Sequence, residues 1–172
     1  MLRAGLIVAA LVIVVDRLTK IAAERGLDAA APRSVIEGFF DLRLAYNRGA
    51  AFSFLADAGG WQRWLFVVLA VVISAVLIAW LRRLGTGERV RALAIALVLG
   101  GALGNLIDRL STGAVVDFLQ FYFWGWPYPA FNIADSAITV GVVLLLFMEW
   151  RRPVSGRDAE VRQREQDRPT QH

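Results

Sequence analysis

Apolar residues gather in four blocks of near-membrane length, at about 4–23, 63–82, 89–108 and 133–150. Within the second, Trp64–Leu81 is 18 residues long and holds no charged side chain. About 20 residues at 1.5 Å each cross a ~30 Å hydrocarbon core, and a helix pairs all its backbone groups internally. The pattern therefore predicts four membrane-spanning helices. The first block could be a cleaved export signal. Its small residues Ala29–Ala31 lie too far beyond the apolar run, across Asp16, Arg17, Lys20, Glu24 and Arg25, for that reading.

Between the blocks the period changes. In "FFDLRLAYN", Phe40, Leu42, Leu44 and Tyr46 alternate with Asp41, Arg43 and Ala45, which predicts a strand. "NRGAAFSF" (47–54) adds a turn at Gly49 and a second short extended piece. "WGWPYP" (124–129) cannot lie inside a helix and has the aromatic content of a membrane interface. The expected fold is an all-α membrane protein of four transmembrane helices with a small extracytoplasmic β-sheet or hairpin. Residues 1–150 would form the membrane domain. The charged, weakly apolar tail 151–172 would be cytoplasmic and disordered.

Charge sets the orientation. The connector 82–91 carries Arg82, Arg83, Arg89 and Arg91 against Glu88, and the tail carries six arginines against four acids. The outward loop 24–62 has no such excess. Connector, tail and both termini are expected in the cytoplasm, with loops 24–62 and 109–132 outside.

Composition narrows the chemistry. The chain is 172 residues long, 57% hydrophobic, with no cysteine and one histidine, His172 at its end. The lack of cysteine excludes thiol chemistry, a single terminal histidine argues against a histidine zinc site or a Ser–His triad, and no metal or cofactor is expected. The net charge of +4 comes from arginines flanking apolar blocks, which suits a membrane rather than nucleic acid.

Polar residues break the blocks at one depth. The first holds Asp16 and Lys20, the third ends on Asn105, Asp108 and Arg109, and the fourth begins at Asn132 and Asp135. All fall in the outer third of the bilayer. A charge at mid-membrane costs about 2.5–3.5 kcal/mol, so several at one level point to one site. Plainer readings exist for each. Asp16 and Lys20 have the spacing of a helical ion pair. Asp108 and Arg109 could be an interfacial pair anchoring the third span. Asn132 fits a helix N-cap and Asp135 its third position. Gly100 and Gly104 fit close helix packing.

Asp117 has no such reading, among Val115, Val116, Phe118 and Leu119. Its available partner is Asp135. Two close carboxylates cannot both ionise cheaply, so the pair shares a proton and works as base and acid at once. Such a dyad hydrolyses a peptide bond. A Ser–Lys dyad would have to use Lys20, which Asp16 holds protonated. A small proton- or ion-coupled transporter is the other reading. Its path should be marked along the bilayer depth, and the inner two-thirds here is apolar.

Four blocks in order, "DRLTK" (16–20), "NRGAAFSF" (47–54), "GGALGNLIDRL…VVDF" (100–118) and "FNIADSAI" (131–138), resemble bacterial lipoprotein signal peptidase, also called signal peptidase II. The resemblance covers Asp16 to Ile138. It implies an aspartic endopeptidase of the bacterial inner membrane that removes signal peptides from diacylglyceryl-modified prolipoproteins, just before the lipidated cysteine. It implies Asp117 and Asp135 as the catalytic pair. Asp16, Lys20, Asn47, Gly49, Asn105, Asp108, Arg109 and Asn132 would be supporting or substrate-binding residues. It also implies contact with membrane lipids and inhibition by the cyclic peptide globomycin. The chain is expected to be a monomer, and loop 118–131 to act as a lid over the site.

Overall fold

In the computed structural model the described residues are 1–49 and 59–151. The extended piece expected over 50–54 and the tail beyond Arg151 lie outside them. The element order is α1 (Leu2–Gly26), β1 (Arg33–Ile36), β2 (Phe40–Asn47), α2 (Trp61–Arg83), α3 (Arg89–Ser111), β3 (Val115–Phe123), β4 (Trp126–Pro127) and α4 (Ile133–Trp150). Each of the four apolar blocks became one helix.

The helices gather around α3, which packs against α1, α2 and α4. Of its most apolar stretch 56% is buried, against 22% for α2 and 11% for α4, so α3 is the central helix. Small residues permit this. A Cβ on Gly100 would meet Val12 and the Ala9 carbonyl of α1, and one on Gly141 would lie 2.6 Å from the Ala94 carbonyl of α3. Ala9, Leu77, Leu81, Ile95 and Leu99 form the core at the end of the bundle away from the sheet.

The outward sides of these helices are apolar too. Val68, Val71, Val72 and Val76 of α2 and Val140, Val143 and Leu146 of α4 are exposed. Apolar faces turned away from a packed core are those of a lipid-facing surface. By length and apolar composition α2, α3 and α4 can cross a membrane. α1 is as long, but Asp16, Arg17 and Lys20 interrupt it, and it does not meet that description by composition.

The sheet is larger than expected. Among the described residues four antiparallel strands lie in the order β1-β2-β3-β4. The segment 118–131, expected as a lid loop, contains most of a nine-residue strand and a hairpin. β3 pairs with β2 from Phe40↔Phe121 to Asn47↔Val115, with an irregularity between Leu42 and Ala45 that leaves Asp117 opposite Ala45. Residues 115–118 are all buried, so β3 lacks the alternation that marks a half-exposed strand. The described residues are therefore mostly helical with a small antiparallel sheet, of which β2 was expected and β3 and β4 were not.

Candidate functional site

Three connections bring the sheet and α4 together. Phe131 exchanges backbone hydrogen bonds with Leu119, and its carbonyl also accepts from the Phe118 N–H. The residue after Phe131 is therefore fixed beside the residue before Phe118. Those two residues are Asn132 and Asp117, and Asn132 donates its side-chain N–H to Asp117 Oδ1 at 2.7 Å.

Asn132 also starts α4. Its side-chain oxygen accepts from the Asp135 N–H at 2.9 Å, and Asp135 Oδ2 accepts from the Asn132 N–H at 3.3 Å. This reciprocal cap satisfies two otherwise unpaired donors of the helix. The Ala134 N–H donates to Asp16 Oδ1 of α1 at 2.9 Å. The N-cap reading of Asn132 and Asp135 is thus correct, and the cap also joins the two carboxylates, since Asn132 bonds to both.

Beneath lies a buried charge cluster. Lys20 is wholly buried and contacts Asp16 Oδ2 at 2.7 Å, Asp108 Oδ2 at 2.7 Å and Asn105 Oδ1 at 3.0 Å. Asp108 Oδ1 pairs with Arg17 at 2.6 Å, and its Oδ2 accepts from the Val116 N–H at 3.3 Å. Asp108 therefore ties α1 and α3 to the start of β3. Asn105 passes the network on, donating from Nδ2 to Asp135 Oδ1 at 2.7 Å. Gly104 makes room, because a Cβ there would stand 2.8 Å from Asp16 Oδ2.

Arg109 differs from expectation. Asp108 pairs with Arg17 and Lys20 instead. The Arg109 guanidinium donates to the carbonyls of Asn105 at 3.3 Å and Gly49 at 3.1 Å, and lies over the Phe66 ring. Consecutive residues point about 100° apart around a helix, so Asp108 and Arg109 face different neighbours. Asn47 Oδ1 accepts from the Gly49 N–H at 2.9 Å, closing the turn, and the Asn47 side chain also hydrogen-bonds to Asp117.

All ten residues singled out in the sequence therefore meet in one hydrogen-bonded assembly. Arg17 was missed. It follows Asp16 and sits one turn before Lys20, a spacing that could have flagged it.

The assembly borders a cavity of about 750 Å³. Asp117, Asp135, Asn47, Asn105 and Arg109 are among its polar lining, and Ala45, Ile138 and Val140 among its apolar walls. That volume is in the range of specific small-ligand pockets. Burial, and next the charge of Asp135, push the Asp117 carboxyl up from 3.8 to about 7, while bonds from Asn132 and Asn47 pull it down. Asp117 thus holds or releases a proton near neutral pH. Among the described residues no three His, Cys, Asp or Glu side chains are grouped to hold a metal ion.

Comparison with known proteins bears on what such a site does. The family model described as signal peptidase (SPase) II matches residues 8–151. A lipoprotein signal peptidase of Pseudomonas fluorescens is 55% identical over 141 residues, covering 81% of this chain and 83% of that protein. One from Pseudomonas aeruginosa (strain UCBPP-PA14) is 53% identical over 150 residues, 87% and 89% of the two chains. One from Paraburkholderia phytofirmans is 56% identical over 145 residues, 84% and 83%. Among solved structures, a bacterial membrane enzyme determined by the in meso method at 2.3 Å superposes with a TM-score of 0.77 at 29% identity, over 88% of this chain and 94% of the other. A match spanning most of the chain, with relatives more than half identical, leaves one conclusion: the chain belongs to the signal peptidase II family and is a membrane signal peptidase.

Proposed function

We propose that the chain is an aspartic endopeptidase that removes signal peptides from diacylglyceryl-modified prolipoproteins, cutting just before the lipidated cysteine. Asp117 and Asp135 would do the chemistry. The observation that carries this reading is that both carboxylates line one cavity and both bond to Asn132.

Hydrogen-bond direction supports an assignment of roles. Both oxygens of Asp135 accept from N–H groups that can only donate, Asn105 Nδ2 and the Asn132 backbone. Asp135 is the carboxylate, and Asp117 carries the shared proton. Asp135 takes a proton from water as the oxygen attacks the scissile carbonyl carbon, and Asp117 gives its proton to the carbonyl oxygen. In the second step Asp135 passes its proton to the leaving nitrogen and the C–N bond breaks. Asp117 recovers a proton from the second hydroxyl. Both groups end as they began. Asp16, Lys20, Asn47, Gly49, Asn105, Asp108, Arg109 and Asn132 hold the pair or meet the substrate. The positive charge of Arg109 acts on both carboxylates.

Packing and charge support a membrane arrangement. Asp16 and Lys20 are wholly buried, while Leu6, Ile7, Leu11, Val14, Val15 and Leu18 cover the outer face of α1. A helix with charge inside and apolar residues outside suits lipid, so α1 is read as a fourth span. The arginine-rich connector and both termini lie in the cytoplasm of a bacterial inner membrane. The sheet and carboxylate pair face outward, where a diacylglyceryl cysteine presents its glyceryl group. Residues 1–150 act as one monomeric peptidase domain. Globomycin, a cyclic peptide, would occupy the cavity.

The test is cleavage of a diacylglyceryl-modified prolipoprotein by the purified chain, with product mass locating the cut. Cleavage before the modified cysteine that survives chelators and serine-directed reagents and stops with globomycin supports the reading. Loss of activity to either reagent class, or ion flux across proteoliposomes without cleavage, contradicts it.

A further inference from the structure

The tip of the β3–β4 hairpin is built against the usual rules. Phe123 pairs with Trp126, so the turn is only Trp124 and Gly125. Both have positive φ, 51° and 80°. That geometry is the tight hairpin turn whose first position favours Asn, Asp or Gly, and a bulky side chain there is strained. Trp124 is also 97% exposed and Trp126 79% exposed. A turn meant for water would place a small polar residue at 124. This one accepts backbone strain in order to hold an indole away from the fold.

The surroundings point to lipid. From Phe118 to Ala134 there is no Asp, Glu, Lys or Arg. Phe123 packs edge-on to Tyr128 at 6.3 Å, and Tyr128 edge-on to Phe131 at 6.2 Å. Phe131 immediately precedes Asn132, the cap of α4, whose outer face of Val140, Val143 and Leu146 is exposed and apolar. An uncharged aromatic ladder thus runs from a membrane-crossing helix to the exposed tip. Tryptophan and tyrosine concentrate where headgroups meet acyl chains, with the ring body in the apolar layer and the N–H or O–H toward water.

We infer that Trp124 and Trp126 insert into the headgroup–acyl boundary of the outer leaflet, and that the ladder to Asn132 makes this anchor set the depth of the carboxylate pair. The inference rests on the outward orientation proposed above. It gives the hairpin a part distinct from a lid: the tip is fixed in lipid, and the site is held at the level where a lipidated cysteine meets the surface.

The experiment compares the full chain with Trp124→Asn, a residue that suits positive φ, and with Trp124→Tyr and Trp126→Gln. Each is reconstituted in vesicles of phosphatidylcholine brominated high on the acyl chain. The difference in emission between wild type and Trp124→Asn isolates the Trp124 signal. Quenching of that signal by the brominated lipid but not by aqueous iodide is expected. Quenching by iodide alone overturns the inference, and this readout needs no peptidase activity, so it is separate from the functional reading. With lipidated substrate in vesicles, Trp124→Asn and Trp126→Gln should raise KM several-fold. Trp124→Tyr should stay near wild type, and all should match wild type in detergent micelles. Trp124→Asn should also keep or raise the melting temperature in detergent. Equal loss in micelles and vesicles would mark the tip as part of the fold or a contact for another protein, and would overturn the anchor.

Discussion

Lys20 donates to Asn105 Oδ1 at 3.0 Å, and this contact decides which end of the Asn105 amide faces Asp135. An ammonium can only donate, so the amide oxygen must turn to Lys20 and the NH₂ must turn to the carboxylate. A buried cation from α1 thereby reaches the site through one amide of α3. Asn105→Leu removes both bonds. Its kcat should fall on the order of 10–100-fold, the scale on which lost supporting hydrogen bonds reduce activity elsewhere. KM should change little, and a steady-state assay in detergent separates the two.

Removing Lys20 leaves Asp16 and one oxygen of Asp108 in the interior without their cation. Lys20→Met should destabilise the fold by about 3–5 kcal/mol, as for other broken buried pairs. Adding Asp16→Asn, which removes one of the stranded charges, should recover part of the loss. Thermal unfolding in detergent measures both, and no recovery would mean that the pair with Asp16 is not what Lys20 supplies.

The site was more legible in the sequence than the sheet. α4 begins at Ile133, as its apolar block predicts, because Asn132 and Asp135 spell a cap that chemistry recognises. Asp117 stood out because nothing local explained its charge. β3 was not legible. The run Val115–Phe118 is buried on both sides, and Asp117 apart it is apolar on both faces, so it lacks the period that names a strand. The bond partners of Asp108 were hidden for another reason. Pairing with Arg17, 91 positions away, is set by helix packing rather than by spacing.

Close packing at the start of α4 can be tested with one methyl group. A Cβ on Gly101 would lie 2.4 Å from the Ala134 carbonyl and 2.7 Å from Ile138, and Asp135 is the next residue. Gly101→Ala should cost roughly 1–3 kcal/mol, as overpacking does. It should also lower activity by displacing Asp135. Gly87→Ala, where nothing lies within 4 Å, is the control and should stay within about 0.5 kcal/mol of wild type. Melting temperatures and specific activities of the two variants make the comparison.

In the proposed mechanism Asp117 links activity to pH. Its carboxyl is pushed up to about 7, by burial first and then by Asp135. The active pair needs one proton, so kcat/KM should fall as pH rises through that region. Stability has the same sign. A group whose folded pKa is raised contributes stability below its ordinary 3.8, and that contribution is lost as pH rises to about 7. Asn cannot ionise. Asp117→Asn should therefore raise the melting temperature more near pH 8 than near pH 5, by a few degrees on the ~2–8 °C per kcal/mol scale of small domains. An equal shift at both pH values would show that Asp117 is not the titrating group.

The central claim is that two carboxylates, from β3 and from the first turn of α4, share one proton and hydrolyse the peptide bond together. The most direct measurement is the turnover of a diacylglyceryl prolipoprotein by purified Asp117→Asn and Asp135→Asn, each checked for a cooperative unfolding transition. The account predicts two folded proteins without detectable cleavage, since each carboxylate has a separate proton to move. Cleavage near the wild-type rate by either folded variant would contradict it.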